Sequence, residues 1–221
     1  MVQVATLSRV HCGLVALAFA TVLVVGCLLH YQKIVTNADY TYPDEWFPSV
    51  LATIGDWYPE RNLFQMLLAV ASGPRITLIL VNYTVFSLTI YLAVALARTV
   101  TAGGWIYVTS TDSHNWHDHA MLGYLLLSGV YYGLSIHQAR VGSQSPRPLR
   151  RLVMAFAVNL VPLVWHYYRH KVLRLPGAYS WYAIFEWVVV VIDVTFDYYA
   201  GMLAGPELRV GILPQTPIKQ V

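Results

Sequence analysis

The side chains able to do chemistry fall into three polar stretches of an otherwise apolar chain. The first, residues 42–61 (YPDEWFPSVLATIGDWYPER), holds four carboxylates, Asp44, Glu45, Asp56 and Glu60, followed at once by Arg61. The second, 110–119 (STDSHNWHDH), holds Asp112, His114, His117, Asp118 and His119. The third, 169–179 (RHKVLRLPGAY), supplies Arg169, His170, Lys171 and Arg174. Histidine beside carboxylate is the material of a general base or of a metal site. His114 with His117, or His117 with His119, has ligand spacing, but adjacent histidines in a hydrated loop are seldom ligands. No metal and no other cofactor is expected. The cationic groups are suited to holding phosphate.

Two helix faces carry the remaining polar groups. Glu186, Asp193 and Asp197 fall within about 40° of one another on a helical wheel. Asn159, His166 and His170 repeat the same spacing on the run before it. Ionised groups at membrane depth face the interior of a bundle and neutralise one another. Arg75, Arg98 and Asp193 lie at matching depths, ~15–20 Å in from one end at 1.5 Å per residue. They are expected to form one buried structural cluster. Glu186, about two turns from that end, is the better group for contact with a substrate headgroup.

The elements that position these groups follow from composition. The 221 residues are 57% hydrophobic and only 11% charged, with mean hydropathy +0.52. Soluble domains carry about 25% charged residues, so the chain reads as a polytopic membrane protein. The fold class is all-α, a single bundle over 1–221 of six transmembrane helices. The spans are placed at about 11–31, 62–82, 87–109, 119–137, 151–168 and 179–203, with a lumenal loop at 32–61. The first span reads as an uncleaved signal anchor. The stretch 62–110 is too long for one crossing and is folded back at a turn near 83–86. One span at 76–98, giving five in all, is the local alternative. Six put Arg140, Arg147, Arg150 and Arg151 in a cytosolic loop, as the positive-inside bias prefers, and bring the three polar stretches to one lumenal side. The sequon at Asn82 then falls at a cytosolic turn and is expected to stay unmodified. The tail after Pro206 is expected to fray. Cys12 and Cys27 form no disulfide framework or zinc spacing, and no nucleotide-binding fingerprint is present, so no nucleic-acid partner is expected.

The strings YPDEWFPSV, IGDWYPER, SGPR, GGWIYVTSTD, HDHAM, HKVLRLPGAYSWYAIFEW and DVTFD resemble the post-GPI-attachment-to-proteins factor two (Frag) family. They are most similar to the N-terminal membrane domain of its yeast calcofluor-white-hypersensitivity branch. The resemblance covers essentially the whole chain, in order. It implies a six-span protein of the secretory pathway, in the endoplasmic reticulum membrane or alternatively the Golgi, that remodels the lipid of glycosylphosphatidylinositol (GPI) anchors. The implied step is fatty-acid reacylation in the animal branch and exchange for ceramide in the yeast branch. Implied partners are membrane lipids and GPI lipid or GPI-anchored proteins. A separate phosphodiesterase-like protein would match the large C-terminal domain of the yeast branch. The chain departs from the family pattern at Leu51, where a small polar residue is expected, and at Ser113 and Asn115, where acids are expected. The departures shift the catalytic assignment to His117 and Asp118, with Glu186. Substrate contact is then assigned to Asp56, Glu60, Arg61, Arg169, His170, Lys171 and Arg174. A non-catalytic lipid-presenting subunit, or a small-solute or lipid transporter, are the alternative readings.

Overall fold

Long apolar runs leave the backbone no solvent to bond with, so each folds as a helix that satisfies its own amides. A computed structural model describes residues 1–142 and 144–211. Its long helices are α1 (Val4–Leu29), α4 (Glu60–Phe86), α5 (Thr89–Tyr107), α6 (His114–Val141), α7 (Arg147–Lys171) and α8 (Ala178–Gly201). A short helix α2 (Tyr31–Ile34) precedes the acidic loop and another, α3 (Val50–Gly55), interrupts it. The only strands among the described residues are β1 (Val2–Gln3) and β2 (Arg209–Val210), paired antiparallel with Val2 opposite Val210. The protein is an all-α bundle of the membrane type.

Five of the six long helices, α1, α4, α5, α7 and α8, are long and apolar enough to cross a membrane. The other, α6, is 28 residues long. It turns Ser128, Tyr131, Tyr132, Ser135 and Gln138 into the interior, which lowers its mean hydropathy without wetting its outer face.

The helices pack as a closed ring, in the order α1–α4–α5–α6–α7–α8 and back to α1. Small residues set the tight seams, as in membrane bundles generally. A Cβ on Gly201 would stand 2.7 Å from Ser8 Oγ, and one on Gly104 2.8 Å from Ala120 Cβ. Pro74 lies inside α4 and Pro162 inside α7 without ending either helix.

Several boundaries differ from expectation. The reversal between α4 and α5 falls at Ser87, whose backbone is left-handed (φ 51°). Asn82 is therefore inside α4, not at a turn. It is 1% exposed, and its amide donates to Tyr91 Oη (3.2 Å) and the Ala200 carbonyl (3.0 Å). Residues 114–119 form the first turns of α6 and not a loop, and Arg147, Arg150 and Arg151 open α7. The segment after Pro206 does not fray at once. It bonds back to the N-terminus, Ala5 N–H donating to the Pro206 carbonyl (3.1 Å) and Val4 N–H to that of Leu208 (2.8 Å). Residues 212–221, on which the rest of that expectation falls, lie outside the described residues.

Candidate functional site

The ring encloses a cavity of about 310 Å³, within the range of small-molecule sites. Every long helix and α3 contribute to its wall. The wall is mostly apolar, with Phe19, Ile54, Leu68, Ile106, Leu160 and Val190 among its members. Polar groups gather at its two ends.

The deep end is charged and closed. Arg98 is fully buried and its guanidinium is saturated. Nη2 donates to Asp193 Oδ1 (2.5 Å) and Tyr124 Oη (2.8 Å), Nη1 to Asp197 Oδ1 (2.9 Å), and Nε to Ser128 Oγ (2.8 Å). Arg75 donates to Asp197 Oδ2 (3.0 Å) and Thr99 Oγ1 (2.9 Å). The Tyr124 and Tyr132 hydroxyls both donate to Asp193, each at 2.5 Å. Two guanidiniums thus face two carboxylates, so the cluster is neutral. Sequence reading brought Arg75, Arg98 and Asp193 together but omitted Asp197, through which Arg75 is joined to the rest.

The outer end lies under the acidic loop. Glu186 accepts from Val50 N–H (2.8 Å) with Oε2, while its other oxygen has only the Tyr182 hydroxyl at 3.4 Å. Glu186 and Tyr182 both line the cavity. The loop is seated on α8 by Glu45, which is fully buried. Glu45 Oε2 accepts from Ser180 N–H (2.9 Å) and Ser180 Oγ (2.8 Å), neutralising the free amides of that helix start. Tyr179 Oη donates to the Ile34 carbonyl (3.1 Å), and Trp187 Nε1 to that of Pro48 (3.0 Å). The acidic stretch is thus a plug over the bundle.

Most of the remaining candidate residues are engaged in contacts of their own. His117 is fully buried in the first turns of α6. Its Nδ1 bonds the Val108 carbonyl (3.0 Å), so Nδ1 carries the proton in the neutral ring and Nε2 is left as an acceptor without a partner among the described residues. Asp118 points elsewhere, because neighbours on a helix diverge by about 100°. It is exposed and lies 3.4 Å from His114. Glu60 pairs with His30 (2.6 Å), a histidine that sequence reading passed over as the end of an apolar run. Arg61 pairs with Asp112. The Asp112 carboxyl is held below its usual range, first by the Thr109 backbone amide and then by Arg61. Arg174 lies 3.6 Å from Asp39, His170 packs its ring 5.2 Å from that of Tyr179, and Asp56 and Lys171 are exposed, with Arg169 half-buried. Of the expected site residues, Glu186, Arg75 and Asp193 line the cavity. No group of three or more His, Cys, Asp or Glu gathers into a metal site among the described residues.

Comparison with known proteins follows the same boundaries. The chain is 43% identical over 186 residues to Protein cwh43 of Schizosaccharomyces pombe, covering 81% of this chain and 19% of that protein. It therefore spans about a fifth of that relative's length. It is 19% identical over 209 residues to Post-GPI attachment to proteins factor 2 of Caenorhabditis elegans and of Caenorhabditis briggsae, covering 83% of this chain and 79% of each. No solved structure matches. Residues 3–201, from β1 to the end of α8, match the family described as Frag1/DRAM/Sfk1/Cwh43P N-terminal domain, and the chain belongs to that family.

Proposed function

We propose that the protein takes part in remodelling the lipid of GPI anchors, by ceramide exchange or fatty-acid reacylation, and that the cavity receives a hydrocarbon chain of that lipid. The supporting observation is the cavity itself, apolar along its length and lined by every long helix. Relatives named for post-GPI attachment point to the same substrate. All six long helices cross the membrane in this reading, with the acidic plug on the lumenal side of the endoplasmic reticulum or Golgi and the arginines at the start of α7 on the cytosolic side. Arg61, Arg169, Lys171 and Arg174 ring the lumenal end and hold the anchor phosphate. Glu186 is the acid–base group nearest the lodged chain. His117 contributes through Nε2 without help from Asp118. A separate phosphodiesterase-like protein supplies what the relative's longer chain carries.

A specific observation favours a second reading, that of a lipid-presenting subunit. His117 and Asp118 do not act as a pair, and Nε2 of His117 is enclosed by protein. The two readings separate by experiment. Lipid analysis of GPI anchors from cells lacking the protein should show unremodelled anchors, and re-expression should restore them. Unchanged anchor lipids would exclude both readings. His117→Gln, expressed at normal level, leaves anchors unremodelled if the ring transfers a proton, and remodels them normally if the protein only presents lipid.

A further inference from the structure

The ring of helices is not closed equally all round. At the deep end α6 and α7 pack through side chains: the Tyr132 and Phe156 rings stand 5.8 Å apart at 82°. Ala139, Ile136, Leu149 and Leu152 share the same core there. Toward the plugged end the two helices turn to other partners. The upper part of α7 is bound to α8, with Asn159 Nδ2 donating to the Phe185 carbonyl (2.9 Å) and ring pairs His166–Phe185 at 5.6 Å and Tyr167–Tyr182 at 5.7 Å. The upper part of α6 is bound to α5, where Gly104 lets Ala120 approach and Trp105 meets Tyr124 at 6.0 Å. The residues that would complete an α6–α7 seam here, Met121 and Leu125 on α6 and Leu160 and Leu163 on α7, line the cavity instead. Leu125 is both a cavity wall and 44% exposed on the outer surface.

We infer that this upper α6–α7 seam is a lateral portal. Through it one hydrocarbon chain of a phosphate-bearing lipid passes from the lumenal leaflet into the cavity. The inference rests on the reading that the cavity receives a lipid chain. The occupant follows from the chemistry. The portal is walled by Leu and Met at the depth of acyl chains, where an opening to the bilayer is filled by hydrocarbon and not by water. The end of α7 beside it carries Arg169 and Lys171, and Trp165 and Tyr168, each more than two-fifths exposed, stand at headgroup level. The phosphate stays at that rim while the chain slides inward without leaving an apolar medium. The plug need not open, which accords with its seating on α8 through buried Glu45 and through the Trp187 hydrogen bond to the Pro48 carbonyl. The neutral Arg98 cluster ends the path, because a chain terminus meets a surface there with no unpaired charge.

The test uses the full chain carrying Leu125→Cys and Leu160→Cys, with Cys12 and Cys27 replaced by serine, and a reducible bifunctional thiol reagent. Delipidated protein is reconstituted into phosphatidylcholine vesicles containing phosphatidylinositol with one diazirine-bearing chain, then illuminated, and adducts are mapped by peptide mass spectrometry. The unlinked protein gives adducts at Val190, inside the cavity. Linking the seam before lipid exposure removes them by tenfold or more, linking it afterwards retains them, and reduction restores uptake. Undiminished Val190 adducts after prior linking would overturn the portal and leave the cavity reading standing. Adducts confined to outward residues such as Val161 in the unlinked protein would overturn both. Met121→Cys with Leu163→Cys is the second pair should the first fail to fold.

Discussion

The two ends of the cavity are built from the same kinds of side chain and behave oppositely. At the deep end, the Arg98 guanidinium has partners for every N–H direction and the charges of Arg75, Arg98, Asp193 and Asp197 cancel. At the plugged end, Glu186 lines the cavity and keeps one oxygen with a single long contact, and Lys171 at the end of α7 is exposed. A saturated, neutral cluster has no valence left for a substrate, and its cost of burial is recovered only by staying intact. An unsaturated carboxylate beside an apolar cavity, as Glu186 is, can change partners as a ligand arrives. In the proposed reading the deep end holds the helices and the plugged end meets the substrate.

The sharpest way to break this contrast is at the deep end. Asp193→Ala should leave the Arg98 charge partly unmatched and strand the Tyr124 and Tyr132 hydroxyls, costing about 3–5 kcal/mol. The variant should fail to accumulate, as judged by steady-state level and protease resistance in membranes. Normal accumulation with lost activity would move the cluster from scaffold to site.

Glu186→Gln makes the opposite demand. The amide oxygen still accepts from Val50 N–H, so stability should change by less than about 1 kcal/mol. Anchor remodelling should fall at least tenfold while expression holds. A variant that remodels normally would reduce Glu186 to a fastener of α3.

The smallest effect belongs to the outer rim. Asp112 has a lowered native pKa, so its contribution to stability is present at neutral pH and lost as pH falls through the native value, beneath the ordinary carboxylate range. Asp112→Asn should lower the melting temperature in detergent slightly near pH 7 and leave it unchanged in strong acid, so that the acid limb of the melting profile flattens. An unaltered acid limb would mean that the Arg61 pair is only a surface contact.

These differences also explain which parts were legible in the sequence. Hydropathy and charge placement located each long helix with its ends at most seven residues out, because that signal is local and repeated. The shared face of Glu186, Asp193 and Asp197 was legible from helical period alone, and all three do line the cavity. The partner of Arg75 was not. Counting depth at 1.5 Å per residue cannot separate Asp193 from Asp197, one turn apart, when a guanidinium reaches about that far. Nor was the role of Glu45 legible. A carboxylate among four in a Pro-rich loop gives no sign that it will cap a helix 135 residues later. That His117 and Asp118 diverge was not legible from a stretch whose composition suits a loop, because adjacency in sequence becomes separation only once the stretch is a helix. The cavity depends on how six helices close a ring, which no single segment encodes.

The central claim is that the cavity, rather than the lumenal loops, receives the anchor lipid. Ala102 lines it from α5 and carries no hydrogen bond through its side chain, so Ala102→Phe fills the space without touching either end. The direct measurement is mass spectrometry of GPI-anchor lipids in cells whose only copy is Ala102→Phe, with accumulation matched to the unmodified protein. The expected result is anchors like those of cells lacking the protein. Fully remodelled anchors from a normally accumulated Ala102→Phe protein would contradict it.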